Sequence, residues 1–301
     1  MIDEVSIWGR CLSEDEIRAG ELVPVHELPP NEYVTKLKVM GFNIWHGGRE
    51  RGEKIGVQRV IDIIKEANPD VIGMVETYGS GPTIADALGF NLYMRGDNLS
   101  VMSRYPIGDT YDIYSLYFSG GAQIKLSPGQ EIAFFPIWLN HLPSSGRELR
   151  EEGATAEAVI ANEMKTRGRE ISTILDEIEP MLDRSNEVPV ILAGDFNSAS
   201  HEDWRQDTAH LHDGWVMDWP VSKIIVGKGL KEAYREVYPD AAKYPGYTFI
   251  TNGVPSSRID YIYYKGRDMR ALEAKIYSRH SQKFPSDHCA VMATLQLPPR
   301  K

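Results

Sequence analysis

A four-layer α/β sandwich, two packed mixed or antiparallel β-sheets flanked by helices, is the fold this sequence predicts. Three observations carry it. From Lys36 onward, short apolar runs of strand length alternate with stretches whose apolar residues recur at helical spacing. Between Phe90 and Leu139 several strand runs follow one another with Gly and Pro turns between them, an antiparallel pattern. Such a mixture of helices and many strands buries its apolar faces best as two sheets with helices outside.

The elements follow in order. Leu37, Val39 and Phe42 mark a first strand, and Val57, Val60, Ile61, Ile64 and Ala67 a one-faced helix that Asn68-Pro69-Asp70 ends. Val71, Ile72, Met74 and Val75 form a short buried strand. The middle section predicts strands near Ser100 to Met102, Ile113 to Phe118, Ala122 to Leu126 and Ile132 to Leu139. Ile171, Ile174, Leu175, Ile178, Met181 and Leu182 signal a long helix, followed by a strand from Val188 to Leu192. Strands near Tyr247 to Phe249, Ile259 to Tyr263, Leu272 to Tyr277 and Ala290 to Leu297 complete the pattern.

The first twenty residues do not belong to this pattern. The stretch IDEVSIWGRCLSEDEI resembles the closing strand and tail of a laminin-G-like or concanavalin-like jelly roll. The expected organisation is therefore a remnant of such a tail at 1–21, a Pro-rich linker at 22–35 carrying Pro24, Pro29 and Pro30, and one domain at 36–301. A genuine tail of this kind would imply a secreted or periplasmic parent protein, and a cytoplasmic one otherwise.

Composition bounds the function. Hydrophobic residues make up 42% and charged residues 25% of 301, a folded globular balance. The formal net charge of −10 lacks the basic footprint of a tight nucleic-acid binder, so no stable nucleic-acid partner is expected. Two cysteines, Cys11 and Cys289, make no disulfide framework, and no apolar run reaches the roughly 20 residues that span a bilayer.

Several strand runs end on a polar residue able to bind metal or phosphate. The first delivers Asn43 and the second Glu76. The run Phe134 to Leu139 delivers His141, and Val190 to Ala193 delivers Asp195 and Asn197. Side chains at strand ends can face a cleft at the sheet edge. Asp260 lies inside the apolar run Ile259 to Tyr263, where a buried carboxylate needs a partner, and His288 of Ser286-Asp287-His288 is the nearest chemical match.

The segments GFNIW, VIGMVET, LSVMSRYPI, LNHL, AGDFN, RIDYI and SDHCAV occur in the order and with roughly the spacing of the endonuclease/exonuclease/phosphatase superfamily, which this chain resembles from Lys36 to about Leu297. That resemblance implies a phosphoesterase dependent on Mg²⁺ or Mn²⁺. It implies Glu76 as main metal carboxylate, with Asn43 and Asp287 near the same ion. Asp195 would orient or deprotonate the attacking water. Asn197 and His141 would hold phosphoryl oxygens, and His288, paired with Asp260, would stabilise charge or move a proton. Val75 stands where the family often has glutamine, and Asn140 where threonine is common; neither position carries the chemistry.

Each motif residue has a plainer reading alone: Asp195 as a turn residue, Glu76 as a solvated acid, Asp287 as a cap, the histidines as ordinary hydrogen-bonded groups. Their joint order favours catalysis. Three further regions are candidate substrate contacts. Trp45 and His46 follow Asn43 in a Gly-rich loop. Arg167 belongs to a basic stretch whose plainer reading is a solvated helix face, and Trp204 and Trp219 to a loop that could instead bury its own tryptophans. The expected substrate is a small phosphorylated molecule or headgroup. The rivals are a nuclease, a sphingomyelinase-like enzyme for which Tyr114 to Phe118 is the faint membrane-contact candidate, and a non-catalytic binding module. Oligomeric state is not legible.

Overall fold

A computed structural model describes residues 32–251 and 253–299. The expected jelly-roll tail, and the linker as far as residue 31, lie outside the described residues. One six-stranded sheet has the order β13 (Arg270–Tyr277), β14 (Ala290–Gln296), β1 (Lys36–Asn43), β2 (Val71–Val75), β4 (Leu99–Ser103), β3 (Asn91–Met94). The second has the order β5 (Ile107–Tyr111), β6 (Gly121–Ser127), β7 (Gln130–Trp138), β8 (Val190–Asp195), β12 (Asp260–Lys265), β9 (Lys231–Glu232). β1 and β2 pair in parallel, as do β7 and β8, and their other neighbours are antiparallel, so both sheets are mixed. A separate hairpin joins β10 (Phe249–Thr251) to β11 (Val254–Ser257).

The central strands are buried on both faces, which explains why VIGMV and VILAGD read as unbroken apolar runs. In β1, Leu37 and Val39 enter the core between the sheets while Met40 and Phe42 face the opposite way. That outer face is covered by helix Ile55–Ala67, whose Val57, Val60, Ile61 and Ile64 are buried. The helix stops at Asn68, left-handed at φ 50°, just before Pro69. The outer face of the second sheet is covered by Ile171, Ile174 and Leu175 of helix Arg169–Glu177. The predicted four-layer sandwich is thus the observed fold.

Two elements differ from expectation. The helix predicted through Leu182 breaks at Ile178 (φ −93°, ψ 5°), where Glu179–Asp183 starts afresh with Pro180 in its first turn. The strand predicted at Ile113 to Phe118 is a loop. Tyr114 has φ +50°, and the amides of Phe118 and Ser119 both turn back to the Ser115 carbonyl. The apolar run there is aromatic packing, not a ladder.

The sheets approach closely at one end. A Cβ on Gly73 would lie 2.8 Å from the Ala193 carbonyl oxygen, and one on Gly41 would lie 3.0 Å from Gly194 N. Only residues without side chains permit that spacing.

Candidate active site

Strand register alone gathers the polar residues at that end. Asn43 of β1 pairs with Val75 of β2, so Glu76 leaves the sheet beside it. Asp195 ends β8 opposite both Trp138 of β7 and Asp260, the first residue of β12. β14 runs antiparallel to β1 with Val291 opposite Gly41, which puts Asp287 and His288 just before that strand at the same edge.

Asn43 joins the two sheets. Its Nδ2 donates to Glu76 Oε1 at 3.0 Å and to Asp195 Oδ2 at 3.1 Å, while its Oδ1 accepts from the Trp45 amide at 3.0 Å. Asn197, left-handed at φ 48°, donates from Nδ2 to Asp195 Oδ2 (3.0 Å) and to the Leu139 carbonyl (2.9 Å). Its amide also donates to Asp195 Oδ1 at 2.9 Å. The second oxygen of Glu76 accepts from the His46 amide at 3.0 Å. His288 Nδ1 meets both oxygens of Asp260, at 3.1 and 3.0 Å, leaving Nε2 facing Asp195 Oδ2 at 3.8 Å. Three residues beyond the end of β7, His141 is exposed, its ring 5.8 Å from that of Trp138.

Burial pushes the Asp195 carboxyl above its usual range; the His288 charge opposes the rise and Asp260 adds to it. Burial pulls the His288 imidazole down, but Asp260 and Asp195 pull harder and raise it. Asp195 and His288 therefore each bias the other's protonation. Burial also raises Asp287, with the Glu76 charge adding to the effect and His288 opposing it.

A divalent cation fits the donors present. Asp287 Oδ1 is buried without a hydrogen-bond partner and its carboxyl feels the Glu76 charge, so a cation bound by the two would be stabilised. Hard oxygen donors of this kind are what Mg²⁺ and Mn²⁺ take. Asp195, Asp260 and His288, with ligand atoms all within 4.8 Å of one another, form a second buried group that could hold a metal.

Three expected substrate contacts are elsewhere. Arg167 is fully buried and ion-paired to Glu163, with Nη1 donating to the carbonyls of Asn140 and Pro143, both at 2.9 Å. It cannot touch substrate, because no part of it reaches solvent. Trp219 is buried with Leu149, Val159 and Met217 in a satellite core. Trp204, half-buried, packs edge-on against Trp219 and stacks on His212 at 4.0 Å, so the loop packs its tryptophans on its own satellite core. Trp45 and His46 do border the site: His46 Nε2 is 3.9 Å from Glu76 Oε2, and Arg51 lies over the Trp45 ring.

Sequence reading missed two supporting residues. Asn98, buried, accepts the Glu76 amide on Oδ1 at 2.9 Å and donates from Nδ2 to the Tyr117 carbonyl at 2.8 Å. Ser286 donates to the Asn43 carbonyl at 2.8 Å and accepts the His288 amide at 3.0 Å. Ser286 adjoins a motif and could have been found; Asn98 acts through main-chain groups and left no pattern.

A buried acid–imidazole pair beside facing carboxylates, at the edge of a four-layer sandwich, defines a phosphoester-hydrolysing enzyme of the metal-dependent phosphoesterase and nuclease class. The chain belongs to the Endonuclease/Exonuclease/phosphatase family, whose sequence model matches residues 40–288. It is 28% identical to the uncharacterized protein F14F9.5 of Caenorhabditis elegans, over 85% of this chain and 90% of that one. Its fold is similar to that of truncated TDP2 from Caenorhabditis elegans (TM-score 0.60, 18% identity, 87% of this chain and 98% of that chain). It is similar also to that of the 3′ phosphatase NExo from Neisseria, solved bound to a product DNA hairpin (TM-score 0.59, 15% identity, 85% and 98% covered). A fold that serves a DNA-bound phosphatase withdraws support from excluding nucleic acid on net charge alone. The family match begins at residue 40 and gives no support to a jelly-roll tail at 1–21. Among the described residues, no helix is long and apolar enough to cross a membrane.

Proposed function

We propose that this chain hydrolyses a phosphomonoester or phosphodiester by attack of a water activated at Asp195, on a small phosphorylated molecule or headgroup. The observation that carries the reading is Asn43, whose one amide group bonds both Glu76 and Asp195 and so fixes the two halves of the site together.

Asp195 is the general base. Its oxygens are held by Asn43 and Asn197, and burial lifts its pKa toward neutrality, where a base is most effective. The Asp260 contact fixes His288 with Nε2 toward the cleft, and the 3.8 Å to Asp195 suits an oxygen shared between them. Protonated His288 stabilises charge on the phosphoryl group and His141 orients its oxygens, while Asn197, whose amide hydrogens go to Asp195 and the Leu139 carbonyl, holds the base in place. Glu76, Asp287 and Asn43 would hold Mg²⁺ or Mn²⁺, which supplies positive charge against the developing oxyanion. The net charge of −10 and the burial of Arg167 support a small substrate over a long polyanion.

The test is release of p-nitrophenolate from p-nitrophenyl phosphate and bis(p-nitrophenyl) phosphate with Mg²⁺, Mn²⁺ or EDTA. Turnover with metal and its loss in EDTA are expected; no turnover with either metal would instead support a binding module. A panel of plasmid DNA, sphingomyelin, inositol phosphates and nucleotides then identifies the substrate class, and cleavage of DNA with a steep salt dependence would overturn the small-molecule assignment.

A further inference from the structure

Six rings from four separate segments border the site beside Glu76. Trp45 and His46 follow β1, Tyr78 follows Glu76 by two residues, Tyr117 comes from the β5–β6 loop, and Trp138 and His141 close β7. Consecutive rings touch: Trp45 to His46 at 6.2 Å between centroids, His46 to Tyr78 at 5.9 Å, Tyr117 to Trp138 at 5.2 Å and Trp138 to His141 at 5.8 Å. Tyr78 and Tyr117 are joined by their hydroxyls at 2.5 Å.

Only Trp138 of this row belongs to the core, packed with Val75 and Leu99. Tyr117 is 40% exposed, its neighbour Leu116 57%, and His46 and His141 are exposed too. Yet it is held rigidly. Tyr78 sits at φ +37°, a conformation a bulky side chain keeps only where its surroundings impose it, and its amide donates to the Asp97 carbonyl at 2.6 Å. The Tyr117 carbonyl is fixed by Asn98, and the Phe118 carbonyl by the Trp138 amide at 2.9 Å. Trp138, itself buried, has an indole N–H without an acceptor, a costly group to leave unmet. Exposed rings already locked in place bind a planar partner with little loss of conformational entropy.

We infer that this aromatic rim is a subsite for a planar aromatic group carried by the phosphoester, a nucleobase or an aryl ring, with Tyr78 and Tyr117 as its specificity-determining residues. The inference rests on the phosphoesterase reading, since the rim is defined by its contact with Glu76. Rings with polar edges favour a flat, polarisable partner over an acyl chain, and stacking on them accepts any base.

The test uses phosphonates that cannot be hydrolysed, titrated calorimetrically into the full chain with Mg²⁺: phenylphosphonate, the methylenephosphonate analogue of thymidine 5′-monophosphate, and ethylphosphonate. At least one ring-bearing ligand binds about fivefold or more tighter than ethylphosphonate, the low end of base–aromatic stacking. Tyr117→Ala abolishes that preference and Tyr117→Phe retains it. Preference for the nucleoside alone assigns a nucleobase, and for the phenyl ligand alone an aryl group. Equal binding of all three, no binding of any, or a preference unchanged in Tyr117→Ala overturns the subsite. Binding is read without turnover: a protein that ranks rings but hydrolyses nothing loses only the hydrolase reading, and one that hydrolyses esters without ranking rings loses only the subsite.

Discussion

His288 meets Asp260 through one nitrogen and presents the other to Asp195, so the acid decides both the orientation and the charge of the imidazole. Asp260→Asn keeps the shape and removes the charge. The His288 pKa should then fall, because the Asp260 charge is the leading influence raising it, and histidine NMR titration of the metal-free protein reads the shift. Turnover should drop on the order of a hundredfold or more while the far-ultraviolet circular dichroism stays unchanged. An unaltered titration would mean that Asp195 alone holds the proton. At this scale the sequence was most informative. Glu76, Asp195, Asn197 and His288 each follow or precede an apolar strand run, and strand ends are where polar side chains can meet. Asn98 was invisible because it works on the Glu76 amide and the Tyr117 carbonyl, groups every residue possesses.

The helical stretch after His141 contains a π-turn at Met164–Gly168 between helices Ala156–Glu163 and Arg169–Glu177. Such a turn widens the helix and re-aims its side chains, and here Arg167 is turned inward onto the carbonyls of Asn140 and Pro143, which flank His141. In sequence the same arginine stands among acidic residues and reads more readily as a solvated than as a cleft-facing group; nothing in the spacing marks the π-turn. Arg167→Met strips the partner from buried Glu163 and should cost about 3–5 kcal/mol in urea unfolding. An effect below about 1 kcal/mol, within the usual range for exposed ion pairs, would mean that the pair does not anchor this loop. The loop Ile113 to Phe118 was misread for a related reason. Its aromatic density mimics a strand, whereas the residues pack on Trp138 and on each other.

Across the whole molecule, a buried network ties the segment after Asn197 to the second sheet. Asp203 accepts from Arg258 Nε at 2.7 Å and from Arg235 Nε at 2.6 Å, and Arg258 also donates to Glu232 at 2.8 Å. Burial pushes Asp203 up, but Arg258 and then Arg235 outweigh it and hold the carboxyl below its usual range. A group depressed on folding stabilises the protein above its unfolded pKa and loses that contribution as pH falls through the folded one. The wild-type urea midpoint should therefore decline below the ordinary carboxylate range, and Asp203→Asn should be less stable at neutrality with a shallower acid decline. Equal acid slopes in the two proteins would dismiss the network as the source. The layer order was readable because runs buried on both faces look different from amphipathic helices, but such long-range ion pairs link residues dozens of positions apart and leave no local trace. Lys36 at the start of β1 lies beside Gln296 at the end of β14, on the rim opposite Asn43. Anchoring this protein to a bead or an electrode through that rim would aim its catalytic mouth at the bulk liquid, leaving diffusing esters free access.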